Sequence, residues 1–117
     1  MESNKENKIL ELSFQFALKI IEFSESLEQT QKYIIARQLL KSGTSIGANV
    51  REAQSAESKV DFIHKIKIAA KEAEEAEYWL LLCKFSKNYP DPDLLLEDIK
   101  VIQKILSKIL GTANKSK

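Results

Sequence analysis

The sequence predicts an all-α protein, an up-down-up-down antiparallel four-helix bundle. Three observations lead there. Apolar residues recur at steps of three and four through most of the 117 residues, which is the period of a helix buried along one side. Only three glycines and two prolines punctuate the chain, so its elements must be few and long. The connections left between them are short, and short connections between long helices force antiparallel neighbours. With 44% hydrophobic and 30% charged residues, a chain of about one domain's length can bury a core and keep a polar surface. No internal repeat and no linker divides residues 1–117, which read as one bundle domain.

The first helix is predicted over about residues 5–26. Ile9, Leu12, Phe16, Ile20 and Phe23 form its buried stripe, and Leu10, Phe14, Ala17 and Ile21 form a second stripe beside it. A bundle of this size covers one side of each helix, so two stripes point to self-association. The second helix is predicted over about 30–54, with Ile35, Leu39, Ile46, Val50 and Ala53 near one face. A break at Ser42 to Thr44 is the competing reading, because glycine and serine also punctuate chains. The apolar phase survives across Gly43 and Gly47, which favours a continuous helix.

The third helix, about 58–88, opens on Ser58 as N-cap with Asp61 three residues on, a capping-box-like pair. Phe62, Ile66, Ala69, Ala73, Ala76, Leu80 and Cys83 then alternate steps of four and three. That is the seam of a left-handed bundle, and its alanine middle lets a neighbouring helix come close. NYPDPD, from Asn88 to Asp93, stops this helix. Asp91 and Pro92 are the expected N-cap and first residue of the fourth, about 92–110. Leu95, Ile99, Ile102, Leu106 and Ile109 give its stripe, Gly111 stands at the expected C-terminal cap, and residues 112–117 read as a short tail.

Apolar runs are too short and too often broken by charge to span a membrane, and the N-terminal MESNKENK has no apolar signal segment. A cytoplasmic protein is the reading. The single cysteine, Cys83, excludes an internal disulfide and a cysteine-based zinc site, in keeping with a reducing compartment.

The segment from Ser42 to Ala53, SGTSIGANVREA, is the least ordinary part of the chain. Gly43 and Gly47 share one helix face, and each costs about 1 kcal/mol of helix propensity relative to alanine. A closely packed partner can offset that cost. Ile46 lies on or beside the glycine face, and Ser42, Ser45 and Asn49 are expected to hydrogen-bond across it. We read these six residues as close helix packing or a subunit interface, not as a catalytic site.

Catalysis finds little support. The only histidine, His64, lies three residues after Asp61, a spacing that could present a carboxylate and an imidazole to one metal. A di-metal bundle needs two such pairs and inward carboxylates on the other helices, and the first helix carries lysine and glutamate only at outward positions. His64 therefore reads as a surface residue. Cys83 and His64 lie nineteen residues apart on one helix, or nearly 30 Å at ~1.5 Å per residue. Only a pairing between subunits could join them as nucleophile and base. Glu72, Glu74, Glu75 and Glu77 form a solvated acidic face, with Glu77 the member aimed toward another helix. GTSIG has neither the lysine nor the preceding strand of a phosphate loop. No catalytic residue, cofactor, metal or small-molecule substrate is expected.

A net charge of +1 argues against a strong sequence-independent nucleic-acid binder. The distribution is less even. Lys32, Arg37, Lys41 and Arg51 occur between Glu28 and Glu52 with no acid among them, and Arg37, Lys41 and Arg51 fall on one heptad phase. Lys100, Lys104 and Lys108 are each four apart and follow the last acidic residue. Each set is a solubilising face in a monomer, whereas rotational symmetry would turn it into a ring able to meet RNA, DNA or a nucleic-acid enzyme.

The residues from Gln38 to Leu82, QLLKSGTSIGANVREAQSAESKVDFIHKIKIAAKEAEEAEYWLLL, resemble the signature region of the four-helix-bundle family called 23S rRNA intervening-sequence proteins. Ser42, Ser45, Ile46, Asn49, Glu52, Ser58, Asp61 and Phe62 carry the match, and the other helices agree in length and order. Arg51-Glu52-Ala53 stands where many members have Ala-Glu-Gly, which adds a positive charge and removes a glycine. The resemblance implies a homopentamer. Several such proteins are encoded inside intervening sequences of bacterial ribosomal RNA genes, and their role is largely unassigned. It also implies kinship with an accessory protein of diversity-generating retroelements, a pentameric barrel that binds its reverse transcriptase and nucleic acid through basic surface. Two functions follow as expectations: an oligomeric adaptor for nucleic acid or a nucleic-acid enzyme, or an assembly module with no nucleic-acid role.

Overall fold

A computed structural model describes residues 4–115 and places four helices there: α1 (Asn4–Gln29), α2 (Tyr33–Ala53), α3 (Lys59–Phe85) and α4 (Asp93–Lys115). The bundle measures 48 × 20 × 19 Å. Its long axis fits helices of 21 to 27 residues lying along it at ~1.5 Å per residue. α1 packs on α2 and α4, and α3 packs on α2 and α4, while the diagonal pairs do not meet. Contacts between low numbers on one helix and high numbers on the next, such as Ser13 with Gly47 and Lys84 with Asp93, make neighbours antiparallel.

The core is the four apolar stripes turned inward. Ile9, Phe16 and Ile20 of α1, Leu39, Ile46 and Val50 of α2, Ile66, Ala69, Ala73, Ala76 and Leu80 of α3, and Ile99, Ile102 and Leu106 of α4 are all buried. Phe62 is half-buried at the end of the α3 seam.

The helix ends explain where sequence and structure differ. The second helix begins at Tyr33 and not at about residue 30, because residues 30–32 close α1. The Lys32 N–H donates to the Leu27 carbonyl and the Gln31 N–H to that of Glu28, with Gln31 in the left-handed region at φ 65°. This is a Schellman closure carried by glutamine where glycine is usual. Through Gly43 and Gly47 α2 continues without a break. At α3 the Ser58 hydroxyl accepts the Asp61 N–H at 3.0 Å, an N-cap. The Asp91 carboxylate accepts the Asp93 N–H at 2.9 Å, so it caps a helix that begins one residue later than expected.

The expected end of the fourth helix is corrected. Gly111 caps nothing: α4 runs through it to Lys115, and no glycine has positive φ. Of the expected tail, residues 112–115 are helical, and 116 and 117 lie outside the described residues, as do residues 1–3, the MES start of the N-terminal segment. Gly111 is exposed, and a Cβ built on it meets nothing within 4 Å. Gly111→Ala should therefore raise stability by about 0.5–1 kcal/mol, as a higher urea midpoint at unchanged m-value.

Candidate functional site

The glycine-serine segment of α2 does not present one face to one partner. Gly43 and Gly47 turn toward α1. A Cβ at Gly43 would stand 2.8 Å from two side-chain carbons of Ile20, and one at Gly47 would stand 3.3 Å from the backbone carbonyl oxygen of Ser13. This is the close approach that offsets the propensity cost of the two glycines. It lies within the chain. Ile46 is fully buried beside them.

Ser42, Ser45 and Asn49 do something other than hydrogen-bond across that face. The Ser42 hydroxyl donates to the Gln38 carbonyl at 3.0 Å, Ser45 to Lys41 at 2.6 Å, and the Asn49 amide to the Ser45 carbonyl at 2.9 Å. In a helix a short polar side chain always has the carbonyl one turn back within reach, and it satisfies itself there before reaching a neighbour. Ser45 and Asn49 also step by four and three to Glu52, whose carboxylate receives Lys65 of α3 at 2.8 Å. They thus lie on the α3 side of α2, away from the glycines.

Both basic sets reach solvent. Arg37, Lys41 and Arg51 are exposed and make no ion pair within 4 Å among the described residues. Lys41 stands near enough to Glu72 of α3 to bear on its ionisation: burial raises the Glu72 pKa, the neighbouring Glu75 raises it further, and Lys41 opposes them. On α4 the stripe is uneven. Lys100 donates to the Glu77 carboxylate of α3 at 3.0 Å, which leaves Lys104 and Lys108 as its open charges.

The largest surface anomaly is apolar. On α1, Phe14 is 57%, Leu18 44% and Ile21 39% exposed, three large side chains following one another at steps of four and three on the outward side. Leu10 and Ala17 of the same side are half-buried. On α2 the exposed Tyr33 and Leu40 stand on the row of steps of four and three that also carries Arg37, Thr44, Gly47 and Arg51. The periodicity of α1 pointed to its second stripe. Leu18, Tyr33 and Leu40 were missed: Leu18 is one turn from Phe14, whereas Tyr33 and Leu40 lie beside the heptad phase of Arg37, Lys41 and Arg51 and not on it.

A family model of the 23S rRNA-intervening sequence protein matches residues 5–108. The chain belongs to this family. It is also similar to the crystal structure, at 1.70 Å, of a protein with unknown function from the S23 ribosomal protein family of Bacteroides thetaiotaomicron VPI-5482. Identity is 40% over 92% of this chain and 98% of that one, with a TM-score of 0.87. No curated protein matches the chain significantly.

In this member of the 23S rRNA-intervening sequence protein family, the titratable groups show no assembled reactive centre among the described residues. No group of three or more histidine, cysteine, aspartate and glutamate residues could hold a metal. His64 is exposed, and Cys83 is buried, its thiol pushed up to about 11 by burial alone. A thiol so placed is protonated at neutral pH and a poor nucleophile. No described helix is long and apolar enough to cross a membrane.

Glu77 is the carboxylate with a structural task. It accepts the Gln103 amide at 3.1 Å and the Lys100 ammonium at 3.0 Å, both from α4, and these bonds hold its pKa below the ordinary 4.5. A depressed folded-state pKa gives stability that is present above the unfolded value and is lost as pH falls through the folded one. Glu77→Gln should lower the urea midpoint at neutral pH, and its difference from wild type should shrink as pH falls below about 4.5.

Proposed function

We propose that this protein is a non-enzymatic adaptor that works as a homo-oligomer, a homopentamer, whose surface basic residues engage nucleic acid or a nucleic-acid enzyme. The observation that carries the oligomer is the outward row Phe14, Leu18 and Ile21 on α1, with Tyr33 and Leu40 exposed on the adjoining helix. A monomer gains nothing from a contiguous apolar face in water, and such faces mark interaction sites. The family resemblance supplies the number five. Membership of a family without assigned chemistry, together with a protonated buried thiol and a solvent-facing histidine, supports a binding role over a catalytic one.

Nucleic-acid engagement rests on exposed cations. In a ring each chain's weak basic set is repeated around the axis, and lysine or arginine on a regular helix face neutralises phosphates without reading bases. Light scattering should give a mass of five times 13.3 kDa. Gel shifts with single-stranded RNA and duplex DNA should show binding that weakens steeply with salt. Charge reversal of Arg37, Lys41 and Arg51, and separately of Lys100, Lys104 and Lys108, tells which set is used when the mass of each variant is measured beside its gel shift. A one-chain mass at micromolar concentration would refute the oligomer. No shift at low salt would make this an assembly module acting on proteins alone, the reading that the Lys100–Glu77 pair and the net charge of +1 favour.

A further inference from the structure

The exposed charges of α1 and α2 are segregated by sign. Beyond Lys8, the exposed charges of α1 are Glu11, Lys19, Glu22, Glu25 and Glu28, and Lys19 is tied to Asp98 of α4 at 2.9 Å. The exposed face of α2 carries Arg37, Lys41 and Arg51, and the one acid of that helix, Glu52, lies on the α3 side and is held by Lys65. None of those four α1 glutamates or three α2 bases makes an ion pair within 4 Å among the described residues. Glu11 receives the Gln15 amide, and Lys41 stands near Glu72 of α3.

The heights of these charges match. Gly43 lies against the Ile20 side chain and Gly47 against the Ser13 backbone, and these two contacts fix the register of α1 on α2 to within about one helical turn. Within that turn, Glu22 stands at the height of Lys41, Glu25 at that of Arg37 and Glu11 at that of Arg51, a spread that long charged side chains span. Rotation about an axis parallel to the bundle leaves every residue at its own height. A second copy generated that way brings its α2 beside α1 of the first with three acids within a helical turn of three bases and the exposed apolar residues of both helices close by.

The geometry points to a cyclic contact between copies of this chain, about an axis parallel to the bundle, in which Glu11, Glu22 and Glu25 of α1 meet Arg51, Lys41 and Arg37 of the neighbour's α2. It rests on the oligomer proposed above and names its interface. The apolar row supplies burial, and the charge pattern sets register and excludes other pairings, the usual division of labour at interfaces. The α2 bases are then spent on assembly, and Lys104 and Lys108 of α4 are the cations left open to a further partner. The same contact closes a twofold pair or a larger ring, so copy number and contact are separate questions.

Sedimentation of the full-length chain at low salt tests it. Arg37→Glu with Arg51→Glu should weaken assembly about a hundredfold, since like charges brought together cost several kcal/mol. Glu11→Arg with Glu25→Arg should do the same. The four changes together should restore the wild-type mass, an outcome that mere surface damage cannot produce. All four residues are exposed, and unchanged circular dichroism confirms that each variant folds. Lys104→Glu with Lys108→Glu should leave the mass alone. The contact is overturned if Arg37→Glu with Arg51→Glu keeps the wild-type mass, or if the four-fold swap fails to restore it. A wild-type mass of one chain overturns this contact together with the oligomer, whereas a mass of two chains overturns the pentamer and leaves the contact standing.

Discussion

Gly43→Leu is expected to cost stability more than any other single substitution in the small-residue segment. Even the first added carbon would stand 2.8 Å from two carbons of Ile20, inside the closest separation that such atoms tolerate. Ile20 cannot swing aside, because it is fully buried in the core and β-branched, hence stiff at χ1. α1 and α2 must separate, and the packing along their whole shared length loosens. Overfilling typically costs 1–3 kcal/mol, and we expect the upper end or beyond here. Gly47→Leu should cost less, since its first carbon would stand 3.3 Å from the Ser13 carbonyl at a half-buried position. Urea unfolding of both variants checks the order. A Gly43→Leu midpoint equal to wild type would mean that the helices do not approach as described.

Phe14→Glu combined with Ile21→Glu should leave the fold intact and abolish assembly. Both side chains are exposed in the single chain and line no part of its core, so the urea midpoint extrapolated to low protein concentration should move little. In the oligomer they would place two charges in an apolar contact, at about 2 kcal/mol or more each if they are central residues. The expected readout is a one-chain mass with unchanged helical circular dichroism. Val60→Glu serves as control, because Val60 is 78% exposed at the start of α3, far from that face. Should the double variant keep the wild-type mass, the α1 face is not the contact and another surface must be found.

Much of the fold is legible in the sequence. The α3 seam coincides with Ile66, Ala69, Ala73, Ala76, Leu80 and Cys83 in the core, and the α4 stripe likewise, because burial on one side of a regular helix writes its period into the sequence. Glu77 reaching another helix was legible for the same reason: it sits between the seam and the surface. Other features were not. Gln31 ends α1 in a conformation that glycine usually signals, so that boundary carried no mark. Gly111 carried the mark and ended nothing, because α4 continues as an exposed helix that tolerates glycine at modest cost.

The candidate site divides the same way. That Gly43 and Gly47 share a face follows from a spacing of four. That the face meets Ile20 and Ser13 of α1, and not another copy, depends on which helices adjoin and at what height. That Ser45 and Asn49 bond backward follows from local reach that the sequence reading overlooked in favour of a distant partner. Whether Lys100 is free or paired could not be read at all, since Glu77 lies twenty-three positions away and is brought level only by the register of α3 on α4.

The chain's own period thus sufficed for the number of helices, their amphipathic faces, the N-cap at Ser58 and the surplus apolar stripe on α1. These are properties of residues a few positions apart, governed by the constant geometry of one helix. Only the packed bundle decided which face meets which, how closely α1 and α2 approach, and at what height an acid stands opposite a base. Those depend on side-chain shapes from distant parts of the chain interlocking at once, and a period along one helix holds no record of its neighbour's position.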